Sequence, residues 1–379
     1  MNIGSAALPA AIHHAKIADL QSVLERGRRA LQLLPEPLYG AVSSRLKGEF
    51  SAASARLQSL NESDSAESGT WEDLVAVSIA VAELGEECLE LAQGALARTR
   101  GVDEEACAAA DRLLIEINSL LPLPAWRSFC IPGAGDGYSH RTKVIRLGVG
   151  TGIGPDAVWS LHVVVHELGH QVAGLITRQA GTRVLHDVNE VLRMAGAVRA
   201  SLGKHVAESF ADCFAAWTLG PAYGLATAWR GFGPGPADDP RATDTHPAPA
   251  DRIAEIVATL RDLDDGDAAA DKVIEVWDHG AVPEARRPEG HQFPEDLRRF
   301  GGDLRHILRD RLGSGRFSGL GRAFGIAALL VDRSPLPRPG ASAHQRHSII
   351  DVLNGAWWAR AHHPTETGRI STRAWSLIA

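Results

Sequence analysis

One stretch constrains this chain more than any other: Leu161 to Gln171, LHVVVHELGHQ. Within it, His166-Glu167-Leu168-Gly169-His170 has the form HExxH. On an α-helix, residues four apart project from the same face, one turn from each other. His166 and His170 can therefore both reach a single metal ion, and the pattern predicts Zn²⁺. Glu167, beside the first histidine, is placed to reach a water on that ion and act as general base. Val158, Trp159, Leu161, Val163, Val164 and Val165 are apolar nearly all round, the mark of a buried helix. Two histidines and a glutamate in such a helix need partners, because burying them unpaired is costly. A metal supplies partners for all three. The blander alternative is a hydrogen-bonded structural cluster.

Composition sets wider bounds. A chain of 379 residues with 45% hydrophobic content can bury a large core, in two or three subdomains. The net charge of -7, with no basic patch, argues against a nucleic-acid partner. No apolar run approaches the roughly 20 residues needed to span a bilayer. The N-terminal MNIGSAALPAAIHHAKIADL does not read as a signal peptide. Cys88, Cys107, Cys130 and Cys213 form no CxxC pair, as expected of reduced cysteines in a cytoplasmic protein.

Residues 10–60 read as two helices broken at Leu34-Pro35-Glu36-Pro37, and 61–69 as a polar loop. A helix over 71–100 would bury Leu74, Val77, Ile79, Val81 and Leu84. Gly101 is its expected C-cap, and Asp103 the N-cap of the next helix, which reaches about Leu121. Residues 131–137 read as a loop and Thr142 to Val149 as a strand. Pro155 falls in the first turn leading to the HExxH helix. Zinc peptidases of this type commonly hold substrate on a nearby edge strand, and whether 142–149 is such an edge is open at this point. Further helices are expected over 187–202, ended by Gly203, then over 204–220, from about Ala250, and over 304–312, 320–331 and 348–361. Residues 231–249 read as a loop. The fold class is α+β, predominantly helical. It divides into a helical region over 1–124, a core over 125–262 and a second helical region over 263–379.

A catalytic zinc usually takes three protein ligands. The metzincin extension needs a glycine at 173 and a histidine at 176, where this chain has Ala173 and Ile176. Two glutamates compete for the third place. Glu190 follows His170 at a spacing similar to thermolysin-like enzymes, but the residue four later is Met194, where that family has an aspartate. Glu208 lies in Ala207-Glu208-Ser209-Phe210-Ala211-Asp212, with the aspartate in place and apolar residues around it. Two carboxylates one turn apart in a buried helix repel unless cations hold them. Zinc could hold Glu208 and an arginine Asp212, which favours Glu208 over Glu190.

Thr245-His246-Pro247 follows, with Arg252 beyond it. The order HExxH, ExxxD, THPxxxxR resembles the gluzincins of the HtpX and CAAX-prenyl-protease group over about residues 142–256. The resemblance implies a zincin-like metallopeptidase core with a small β-sheet, acting on a protein or peptide substrate. It implies that His166, His170 and Glu208 bind zinc and that Glu167 activates the water. Asp212 would stand behind the ligands, Arg252 would order Asp212, and His246 would support the transition-state oxyanion. Those family members are integral membrane proteases, and this chain has no predicted span, so their membrane substrates do not carry over. The rival expectation is a helical scaffold or partner-binding protein whose zinc is structural or whose site is degenerate. His162 and Trp357-Trp358 read as core, and the pairs His13-His14 and His362-His363 as surface.

Overall fold

The computed structural model describes residues 7–62, 68–121, 129–148, 154–176, 188–230, 246–280, 295–313, 319–336 and 347–378. These residues are predominantly helical, with one small three-stranded sheet. None of their helices is long and apolar enough to cross a membrane.

The chain opens with α1 (Ala7–Leu31), α2 (Leu38–Glu62) and α3 (Ser68–Thr99). The α1–α2 break falls at the prolines, as expected. Along α3 Leu74, Val77, Val81, Leu84, Cys88, Leu91 and Ala95 are buried, an alternating three–four spacing that makes one stripe. Ile79 is not part of it and is 57% exposed. It stands two residues from both Val77 and Val81, on the far side of a 3.6-residue period. Gly101 takes a left-handed conformation after α3. Asp103, expected as a cap, is itself left-handed and makes no capping bond into α4 (Glu104–Leu120).

The sheet follows. β1 (Phe129–Gly133) pairs in parallel with β3 (Val144–Gly148), and β2 (Gly137–Tyr138) pairs antiparallel with β3. The segment expected as a loop thus supplies two strands. Pro132 is tolerated because β1 lies at a sheet edge, where a missing N–H breaks no inner ladder. The strand read from the sequence, β3, is the central one and not an edge. β1 lies against α3 and α4, while β2 is the edge on the side of α5 (Leu161–Ile176).

Then come α6 (Val188–Val198), α7 (Ala200–Leu219), α8 (Pro221–Arg230) and α9 (Pro249–Arg261). Gly203 terminates nothing. The break is one residue, Arg199, in an extended conformation, and Gly203 lies inside α7. A Cβ on Gly203 would lie 3.1 Å from the Gly196 Cα, so its bareness lets α6 and α7 approach closely. The rest is α10 (Gly266–Gly280), α11 (Glu295–Leu312), α12 (Leu320–Val331), α13 (Ile349–His362) and α14 (Thr367–Ile378). The helix read over 304–312 is the second half of α11. Most of the expected loop 231–249 lies outside the described residues.

The buried apolar residues fall into two clusters. One joins α1, α2 and α3 with Ile131 and Val144. The other runs from α4 through α14. At its centre α7 is buried nearly all round, with Phe210, Phe214 and Trp217 among its fully packed side chains. α5, α6, α9 and α11 surround it. α8 is locked to α13 by Asn354, whose side-chain oxygen accepts the Ala222 N–H at 2.9 Å. That N–H belongs to the first turn of α8 and has no partner within its own helix.

Candidate metal centre

The site begins with the crossing of α5 and α7. A Cβ on Gly169 would lie 2.7 Å from the Ala211 Cα, closer than real atoms come. The two helices therefore touch backbone to backbone inside the HExxH pentad. Glu208 lies one turn before Ala211, and the contact sets it level with both histidines.

His166 Nε2 is 3.3 Å from Glu208 Oε2, and His170 Nε2 is 3.5 Å from Glu208 Oε1. The imidazoles are 5.1 Å apart at 89°. One ligand atom from each of the three residues lies within 4.8 Å of the other two. Ligands about 2.1 Å from a tetrahedral zinc sit about 3.4 Å apart, close to each of the two histidine–glutamate gaps. Two imidazoles and one carboxylate are also a donor set that zinc favours. The three side chains are 12%, 16% and 15% exposed. Glu190, on α6, is half-buried and lies outside this group.

Behind the group stands Asp212, fully buried. It accepts two hydrogen bonds from Arg252, at 2.8 and 2.7 Å, and one from the Tyr223 hydroxyl at 2.5 Å. Its Oδ1 is 3.1 Å from His166 Nδ1. Asp212 and Arg252 thus meet, as the ExxxD and THPxxxxR motifs lead one to expect.

The electrostatics follow from these contacts. Burial opposes a charge on Asp212, yet Arg252 and His166 hold its carboxyl far below the usual range. Burial likewise works against a charged His166, but its bonds to Asp212 and Glu208 prevail and raise it to about 10. His170, buried beside a charged His166, drops to about 4. Burial pushes Glu208 up, and His166, His170 and Arg252 bring it below its ordinary value. Glu167 is raised by burial, against the pull of His166 and with help from Glu208 and Asp136. Without a metal, a proton on His166 supplies the positive charge that this ring of acceptors demands.

His246 lies at the rim, with Nε2 3.6 Å from Glu208 Oε2 and a side chain 52% exposed. Pro247 and Ala248 behind it are buried. α9 starts at Pro249, and its first turn delivers Arg252 to Asp212. That ion pair ties the His246 segment to the cleft. Across the cleft, His140 follows β2 with its ring 6.5 Å from that of His170. Burial lowers its pKa, and Lys143 adds to the effect.

His140 and Tyr223 escape a reading of the sequence. His140 is a lone histidine in what looks like a loop. Tyr223 carries one usable signal: a tyrosine in an apolar stretch needs a partner for its hydroxyl. Nothing in the sequence names that partner. His162 is a core residue, bonded to the Trp159 carbonyl at 2.9 Å. His13, expected at the surface, is fully buried edge-on against Trp71. His362 and His363 are exposed.

Comparison with protein-family models, with curated proteins and with solved structures returns no match for this chain. Any functional assignment therefore rests on the residues themselves.

Proposed function

We propose that this chain is a zinc-dependent metallopeptidase of the gluzincin type, hydrolysing peptide bonds in a protein or peptide substrate. One observation carries the reading: His166, His170 and Glu208 converge at zinc-ligand spacing from two helices, with Glu167 beside them. The order of the three motifs, similar to that of the HtpX and CAAX-prenyl-protease group, adds support.

His166, His170 and Glu208 would hold the ion. When bound, zinc supplies Lewis acidity to the scissile carbonyl and lowers the pKa of its water. Glu167 takes the proton of the attacking water and returns it to the leaving amine. Its raised proton affinity suits a group that must do both. His246 donates a hydrogen bond to the carbonyl oxygen as charge develops there. Asp212 holds the His166 ring in place, and Arg252 keeps Asp212 ionised.

Purified protein is expected to hold about one zinc per chain. His166→Ala, His170→Ala and Glu208→Ala should each strip it. Glu167→Gln should keep zinc and fold and lose hydrolysis, read by metal analysis and by terminomics on a denatured proteome. A Glu167→Gln protein that cleaves like the wild type ends the assignment. His246→Ala should keep zinc and lower kcat by about 10²- to 10³-fold, the scale of one lost oxyanion donor. X-ray absorption separates the scaffold alternative: four protein ligands on the zinc would mark a structural site.

A further inference from the structure

We propose that Tyr223 is a positioning residue for the metal ligand His166, acting through its hydroxyl rather than its ring. The inference rests on the metallopeptidase reading for the identity of the ion, and on geometry for the rest.

The Tyr223 hydroxyl lies 3.0 Å from His166 Nδ1 and donates to Asp212 Oδ1 at 2.5 Å. A hydroxyl has one proton. With that proton committed to Asp212, the oxygen can offer Nδ1 only a lone pair. The Asp212 carboxylate, 3.1 Å from the same Nδ1, is also an acceptor, and the two bonds from Arg252 keep it ionised. Nδ1 therefore faces two acceptors and must carry hydrogen. The remaining lone pair of the neutral ring is then on Nε2, which points at Glu208. When the ring gives up a proton to a metal, it is therefore the Nε2 proton that leaves, and this arrangement decides the tautomer that binds.

The hydroxyl also fixes direction. The Tyr223 and His166 rings lie within 6° of parallel, with centroids 6.2 Å apart. Two acceptors on one N–H restrict rotation of the imidazole more than one does. Tyr223 is itself held: it is 2% exposed, its carbonyl accepts the Thr227 hydroxyl at 2.8 Å, and α8 is locked to α13 through Asn354. Tyr223 is thus the link by which helices far along the chain position a ligand on α5.

The test is Tyr223→Phe, which keeps the ring and removes the hydroxyl. Zinc affinity is measured by chelator competition, and the geometry of the site by the visible absorption of the Co²⁺-loaded protein. Zinc binding should weaken about tenfold, the lower end of the effect of losing a partner behind a ligand, and the Co²⁺ bands should shift. A purely structural tyrosine would lower the melting temperature of the metal-free protein and leave affinity and bands unchanged. That result overturns the proposal. Replacing tyrosine by 3-fluorotyrosine guards against misfolding. It keeps the shape but makes the hydroxyl a stronger donor and poorer acceptor, and zinc should weaken in the same direction by less. Unchanged binding there also overturns the proposal. A wild-type protein that binds no zinc would instead overturn the metallopeptidase reading, and this inference with it.

Discussion

Two buried acid–base pairs meet α9 three residues apart and behave in opposite ways. Arg252 reaches Asp212 at the candidate metal centre, while Glu255 reaches Arg305 of α11 on the far side. Both carboxylates are almost out of water, at 0% and 2% exposure. Asp212 stays ionised far below the usual carboxyl range, whereas burial outweighs Arg305 and lifts Glu255 to about 7. The difference is the supply of donors. Asp212 receives Arg252 twice and Tyr223 once, and faces His166. Glu255 shares Arg305 with Asp262, and the Cys213 thiol stands 4.0 Å from it, a weak donor at that range. Burial alone does not decide whether an acid keeps its charge; the number of hydrogens aimed at it does. The molecule concentrates those hydrogens on the carboxylate that touches His166.

The largest expected effect breaks the first pair. Arg252→Ala leaves Asp212 buried and charged, and should cost about 3–5 kcal/mol of stability and loosen zinc as well. Arg305→Ala should cost clearly less at pH 6, because Glu255 already holds a proton there. Denaturant unfolding of both variants at pH 6 makes the comparison, and equal losses would show that the two pairs do not differ.

The next effect concerns the sign of the pH dependence. The folded-state pKa of Glu255 lies above its ordinary 4.5. Between 4.5 and about 7 the folded protein therefore holds a proton that the unfolded chain has released. The contribution of Glu255 to stability falls as pH rises through that window, by about 3 kcal/mol at 1.4 kcal/mol per unit. Metal-free His170, depressed to about 4, contributes in the opposite sense over most of the same range. Glu255→Gln should remove the first contribution, read as the difference from wild type, and leave zinc content unchanged. Asp212 has the opposite sign. Its folded-state pKa is depressed, so its contribution is complete above its ordinary 3.8 and is lost only on acidification below that. A metal-free Glu255→Gln protein whose stability follows pH from 4.5 to 7 just as the metal-free wild type does would remove the contrast.

A smaller effect follows from His166. Metal-free, it holds a proton up to about pH 10, and zinc must displace that proton. Zinc affinity should rise about tenfold per pH unit near neutrality, with about one proton released per zinc. Calorimetry in buffers of different ionisation enthalpy measures the release, and zero release would contradict the His166–Asp212 coupling. The smallest effect is a control. Glu190→Ala, on a helix outside the ligand group, should leave zinc affinity unchanged and stability within about 0.5 kcal/mol.

Legibility in the sequence follows the same divide between apolar pattern and polar contact. In α3 one face is buried, so its stripe can be read by period, with Ile79 misplaced by half a turn. In α7 almost every face is buried, and period says nothing. There the polar exceptions speak, and Glu208 with Asp212 one turn later stood out for that reason. β1 and β2 were unreadable because Pro132, Gly133, Gly135 and Gly137 suggest a turn, and only pairing with β3 makes them strands. Tyr223 and His140 meet the histidines through folding alone. The Tyr223–His166 contact spans 57 positions, with no local spacing to betray it.

Asn354 has a consequence for when the site matures. Every proposed ligand, together with Asp212, Tyr223 and Arg252, precedes residue 253, but the amide that locks the start of α8 lies 132 positions beyond Ala222. At a synthesis rate of roughly 5–20 residues per second, the ribosome takes about 5–20 s to travel from Arg252 to Asn354. During that interval the nascent chain holds all three proposed ligands while the start of α8 lacks its bond to Asn354. Loading with zinc is thus expected late in biogenesis, when α13 has docked. Chains arrested before residue 354 should retain less zinc on the ribosome than chains arrested well after it.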